Sequence, residues 1–269
     1  MSWAKTILAA LLLAGSAGTG AAQSTPPAET DPDIVIRGQQ EQALRAFIAS
    51  VAEAGRSGQL GRWDREICPA IIGIDQAQAD FMARRIAELA ASLELRTRAS
   101  NCQTTMLIVV THDATGLARH FARTYPITLR TDGRAKLNLF AATSRPVRWL
   151  SVTDLGGGVL PNSRITMATH PEFQAMIVIV DAAQIGGYSL GELSDYVAMV
   201  ALANPRVTAT REQQSILSMF DRARPADGPF ALTRDDRSFL AGLYRSNPHL
   251  SARSQRASIE RHMRDEASR

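Results

Sequence analysis

Ile185-Gly-Gly-Tyr-Ser-Leu-Gly-Glu-Leu-Ser-Asp-Tyr-Val-Ala-Met-Val-Ala-Leu-Ala203 is the stretch on which the fold turns. It follows an apolar run, Ala175 to Val180, of strand length, and it opens a helix whose residues are apolar nearly all round. A helix of that kind belongs inside a protein. Three chemistries fit its first turn. Gly187-Tyr188-Ser189-Leu190-Gly191 matches the G-x-S-x-G nucleophile elbow, which needs a strand before it and a helix after it. Gly191-Glu192-Leu193-Ser194-Asp195 keeps the spacing and the Glu of H-E-x-x-H without either His. The third is a capping box, in which the Ser189 hydroxyl accepts the Glu192 amide while the Glu192 carboxylate accepts the Ser189 amide.

The surrounding chain weighs these against one another. An elbow serine sits directly after its strand, whereas Ser189 lies nine residues beyond Val180. The hydrolase reading, with Ser189 as nucleophile and Glu192 beside it, also needs later strands and a His after an acid. Beyond residue 205 the pattern is helix and loop, and His249 stands at the edge of a basic tail. A zinc site needs three or four converging ligands. The five His (112, 120, 170, 249 and 262) show no ligand spacing, which leaves His112 and His120 as surface or helix-face residues.

Upstream, Met1 to Ala22 has the layout of a secretory signal peptide: one Lys, an apolar run from Ile7 to Ala14, then small residues. Residues 23–33 are polar and Pro-rich and read as a flexible leader, and Ile34-Val35-Ile36-Arg37-Gly38 as an edge strand. Residues 34–248 then form one globular domain, and 249–269 a basic tail, helical or disordered. Export places the mature protein in the periplasm or outside the cell. The only two cysteines, Cys68 and Cys102, are expected to form a disulfide there. No segment is long and apolar enough to span a bilayer, for which ~20 residues are needed.

Within the domain, Ala43–Ala54 reads as a helix burying Leu44, Phe47, Ile48 and Val51. A loop runs through Cys68-Pro69, and Gln76–Leu95 reads as a longer helix burying Phe81, Ile86, Leu89 and Leu93. Thr105–Thr111 and Ala175–Val180 are continuous apolar runs, hence inner strands. Val147–Leu155 is a strand broken by Gly156-Gly157-Gly158. Arg211–Phe220 and a segment from Leu232 to Arg245 read as helices, with the Pro/Gly-rich 223–229 between them. The fold class is therefore α/β (α+β), a mixed sheet flanked by helices with a helical C-terminal part. The net charge of +4 comes mostly from the last 25 residues, with six Arg against three acids. Aromatics are 6%, and together with export this argues against nucleic acid as a partner.

The C-terminal third resembles the metzincin metalloproteases. There a strand leads to a helix bearing H-E-x-x-H-x-x-G-x-x-H, then a Met-turn, then Leu-Thr-x-x-Asp opening a helix that ends in Leu-Tyr. Here the order is Met176 to Val180, then Gly191-Glu192-Leu193-Ser194-Asp195, Ser215-Ile216-Leu217-Ser218-Met219, and Leu232-Thr233-Arg234-Asp235-Asp236 to Leu243-Tyr244. The chain is also similar to exported proteobacterial proteins that look like zinc-less versions of that fold. Gly191, Asp195 and Ala201 stand in the three His positions, so the resemblance implies a pseudoenzyme without metal or cofactor. It further implies that the old cleft binds a peptide or periplasmic protein, with Glu192, Asp195 and Tyr196 as the binding residues.

Overall fold

The computed structural model describes residues 32–130, 132–156, 163, 166–207, 215–221 and 230–269, with side chains from Gly38 onward. Several sequence readings lie outside those residues: the signal peptide, most of the leader, Gly157-Gly158, the start of the 211–220 helix, and the 223–229 loop. The chain divides into two units, Met1–Gln39 and Gln40–Arg269.

The first correction concerns the β-prone run at Ile34. It lies within α1 (Pro32–Val51), continuous with the helix read from Ala43 onward. Five β-prone residues do not outweigh a neighbouring helix that buries Phe47, Ile48 and Val51 on its inner face. The helix stops at Val51 rather than running on to Ala54.

Four strands make one mixed sheet in the order β1-β2-β4-β3: β1 (Pro69–Ile72), β2 (Met106–Thr111), β3 (Val147–Gly156) and β4 (His170–Asp181). The first three in that order run parallel, and β3 closes the far edge antiparallel to β4, with a bulge between Val152 and Thr153. As their apolar runs predict, β2 and β4 are inner strands. The sequence reading missed β1, which is four residues long and opens on Pro69, a residue that only an edge strand tolerates easily.

Helices cover both faces. α2 (Gln76–Ser92) and α5 (Leu190–Ala203) pack with α1 on one side, and α3 (Ala114–Thr124) and α4 (Arg134–Ala142) on the other. α6 (Arg234–Arg245) and α7 (Ala252–Ala267) join the α2–α5 layer through Phe239, Leu240, Ile259 and Met263. On α2 the inward residues are Ala79, Met82, Ile86, Leu89 and Ala90, so the apolar stripe runs one residue off the expected Phe81. Phe81 instead lies under the Arg85 guanidinium, 5.9 Å away.

Turn chemistry sets the helices against the strand ends. Asp75 caps α2 by accepting the Gln78 amide at 2.9 Å, and Asp113 caps α3 by accepting that of Gly116 at 2.8 Å. Between β1 and α2 the chain turns at Gly73, whose φ of +90° suits glycine and whose backbone lies against the Val110 carbonyl, where a Cβ would overlap. The Cys68–Cys102 disulfide, closing a separation of 34 residues, ties the start of β1 to the approach to β2. Among the described residues no helix is long and apolar enough to cross a membrane.

Candidate functional site

The capping box at the start of α5 is formed. Ser189 Oγ accepts the Glu192 amide at 3.2 Å, and Glu192 Oε2 accepts the Ser189 amide at 2.7 Å. The other oxygen, Glu192 Oε1, accepts the Phe230 amide at 2.9 Å, so both oxygens of this buried carboxylate receive backbone N–H groups. Asp195 lies one turn further on. Its Oδ1 takes Arg85 Nη2 at 2.6 Å and Nε at 2.8 Å, and its Oδ2 takes the Leu232 amide at 3.3 Å. The two acids therefore hold residues 230–232, the lead into α6, and Asp195 also holds α2 against α5. α6 repeats the device: Asp236, fully buried, accepts the amides of Thr233 (3.0 Å) and Ile216 (2.8 Å) and the Ser215 hydroxyl (2.5 Å). Burial raises the Asp236 pKa above the ordinary carboxylate value, and these donors pull the other way.

The expected binding residues Glu192, Asp195 and Tyr196 are thus brought together on one helix, and all three are buried. The Tyr196 ring sits edge-on to Phe220 at 4.8 Å. Of the three residues expected to stand at ligand positions, Asp195 and Ala201 are enclosed in the core, and the Ala201 carbonyl accepts Trp63 Nε1 at 2.9 Å. Gly191 lies nearer the surface. A carboxylate that accepts two backbone amides is poorly set up to take a proton from water. Ser189 lines a small cavity of about 180 Å³ with Ile74, Val110, Tyr188 and Leu193, at the carboxyl ends of β1 and β2.

The histidines fall into separate places. His112 and His120 are exposed, and His170 and His249 stack edge-to-face at 5.1 Å near Asp64. Burial holds the His170 pKa below its ordinary value; Asp64 opposes that shift, while His249 and Arg62 add to it. Among the described residues no three His, Cys, Asp or Glu side chains form a group that could hold a metal ion.

Sequence reading missed a groove of about 570 Å³ along the outer edge of β1. Its floor is Ala79, Ala83 and Ala87, which recur every fourth residue on α2 and leave space that larger side chains would fill; Arg84 and Arg98 stand at the rim. The alanine spacing was visible in the sequence, but its meaning depends on β1 lying alongside. Cys68 turns its carbonyl toward the Thr105 and Met106 amides of the β2 side, while Ile67 bonds outward to Arg96 and Arg98. Strand alternation then turns the backbone N–H and C=O of Ile71 outward as well, into the groove. Ile72 beside it is 51% exposed.

Compared with models of known families, with curated proteins and with solved structures, the chain matches none.

Proposed function

We propose that this is an exported, non-catalytic protein of pseudo-metalloprotease type, acting in the periplasm or outside the cell, that holds an extended peptide or protein segment along the outer edge of β1. The observation that carries the reading is the outward-facing backbone of Ile71 beside an open groove floored by alanines. A peptide added there gains main-chain hydrogen bonds from the strand and places every second side chain over α2. The disulfide and the absence of a membrane-crossing helix among the described residues fit the exported setting. The buried carboxylates favour a non-catalytic role, since Glu192 and Asp195 spend their oxygens on residues 230–232 and on Arg85.

The test is selection from a random displayed library of extended peptides, followed by measurement of the winners on Ala83→Trp, which fills the groove without touching the β1 backbone. The expected result is a loss of at least about tenfold in affinity, with slower amide exchange at Ile71 in the wild-type complex. A library that yields no binders, or binders indifferent to Ala83→Trp, would remove the proposal.

A further inference from the structure

The groove beside β1 is closed at one end by the chain itself. Ile67, two residues before Pro69, pairs outward in parallel with Thr97: its amide donates to the Arg96 carbonyl at 2.8 Å, and its carbonyl accepts the Arg98 amide at 2.9 Å. Thr97, Arg98 and Ala99 therefore wall the groove at its Pro69 end. Just beyond them the disulfide from Cys102 to Cys68 returns the chain to the sheet and fixes this stop covalently. α2 connects the parallel strands β1 and β2 and so runs back along β1, which places Gln76 and Asp80 at the Ile72 end and Ala87 toward the stop.

A segment laid along β1 must end or turn away at that stop, and its hydrogen bonds decide which. Ile71 offers the groove both an N–H and a C=O, whereas Pro69, facing the same way by strand alternation, offers only a C=O. In antiparallel pairing the residue opposite Ile71 exchanges both bonds with it. The residue opposite Pro69 donates its N–H to the Pro69 carbonyl but meets no N–H for its own carbonyl, and an acceptor left unmade weakens binding. If the ligand chain ends there, that acceptor belongs to a carboxylate, and cations line the same groove. Arg98 meets Glu66 through Nε at 3.0 Å yet keeps its side chain 55% exposed, so its guanidinium can fork onto a carboxylate. Glu66 offsets one positive charge, and Arg84 on the α2 rim supplies another. Asp80 lies at the opposite end, so the rim runs from acid to base toward the stop. An N-terminal ammonium at the stop would face the arginines and be repelled.

Resting on the reading of this groove as a peptide site, we infer that its ligand is a free carboxyl terminus bound antiparallel to β1. The last residue lies opposite Pro69 with its carboxylate on Arg98 and Arg84, and the third from the end lies opposite Ile71. Ile71 packs toward the α2 side of the sheet, and directly paired residues share a face. The last and third-last side chains therefore lie over the alanines of α2 and are apolar. The partner class is peptides and proteins with free, apolar carboxyl-terminal ends.

Two displayed libraries of random peptides, one with free carboxyl ends and one with the carrier fused after the random residues, are selected on the oxidised protein. The winners are remade as free acids, as carboxyl-terminal amides and as N-acetylated acids, and compared by titration calorimetry. Binders are expected from the free-end library, with amides at least about tenfold weaker than acids and acetylation without effect. Arg98→Ala should bring acid and amide to within about threefold of each other and leave the melting temperature in place. Should it fold poorly, Arg84→Ala, an exposed change on α2, must narrow the same ratio. Acids and amides that bind alike overturn the inference, as does a preference for acids that survives both substitutions, or binding lost on acetylation alone. Amides that bind as well as acids yet are weakened by Ala83→Trp would sink the carboxyl-terminal preference and leave the peptide groove standing. Failure of both libraries to yield binders removes the two together.

Discussion

Glu192→Gln puts the reading of α5 at risk. In the folded chain the Glu192 carboxylate, 2% exposed, accepts the Ser189 amide at 2.7 Å and the Phe230 amide at 2.9 Å. A glutamine has the same shape but only one accepting oxygen, so its NH₂ must face one of the two N–H donors. One charge-assisted bond is lost and a buried donor is left without an acceptor, a cost of about 2–3 kcal/mol. Glu192→Ala loses both bonds and costs ~3–5 kcal/mol. Ser189 has less to lose: Ser189→Ala removes one cap acceptor for ~1 kcal/mol, and Ser189→Asn keeps an acceptor without placing a second negative charge beside Glu192. The expected order of stability is wild type close to Ser189→Asn, then Ser189→Ala, Glu192→Gln and Glu192→Ala. Urea unfolding should show it as falling midpoints at constant slope. Fluorophosphonate probes, which need an activated hydroxyl, should not label the wild type. A Glu192→Gln variant as stable as the wild type would refute the structural role given to the carboxylate. Wild-type labelling that vanishes in Ser189→Asn would make Ser189 a nucleophile after all.

Four further outcomes follow from the same structure. Replacing Cys68 and Cys102 by Ala should cost ~4 kcal/mol in the chain-entropy account of a 34-residue closure, measured by urea unfolding, and two free thiols in the protein purified without reductant would contradict the pairing. Gly73→Ala forces a Cβ against the Val110 carbonyl at φ +90°, so a loss of more than ~2 kcal/mol is expected, and a neutral effect would mean that the turn differs. Asp236→Asn should be among the most damaging single-atom changes, because the acid accepts from Ser215, Ile216 and Thr233, and a shift of under ~1 kcal/mol would contradict that. His170 has a folded pKa below its unfolded value near 6.5, so its contribution is full above that value. As pH falls from about 6.5 through the depressed folded value, stability should drop with a slope of up to ~1.4 kcal/mol per pH unit. His170→Asn should flatten the profile in that window, and an unchanged profile would exclude His170 as its source.

What the sequence made legible was what short-range chemistry decides. Cap residues act on amides three positions away, so Ser189-x-x-Glu192 and Thr233-x-x-Asp236 could be read directly. Continuous apolar runs announced β2 and β4 because a strand buried on both faces has no polar side to show. The α1 segment failed for the complementary reason. Ile34 to Ile36 has β propensity, but the helix that follows fixes its ends through tertiary burial of Phe47, Ile48 and Val51, and propensity over five residues is too weak to resist. β1 escaped because four residues between Pro69 and Gly73 carry almost no periodic signal, and the strand exists by pairing with β2.

The same distinction separates the residues expected to act from those left open to a partner. Glu192 and Asp195 drew attention as acids at motif spacing, yet their partners, the amides of Phe230 and Leu232, lie 38 and 37 residues away. A motif names a side chain and leaves unsaid what will claim it. Two openings among the described residues come instead from residues with no motif at all: the alanines of α2 beneath the β1 edge, and Lys136, Ser151 and Asn204 at the β3 edge, from three elements. A binding surface at a sheet edge exists only once the sheet has chosen its edges. Here the sheet ends at β1, whose first residue, Pro69, has no N–H to donate while Ile71 keeps its own, and at β3, which lies antiparallel to β4 at the other edge.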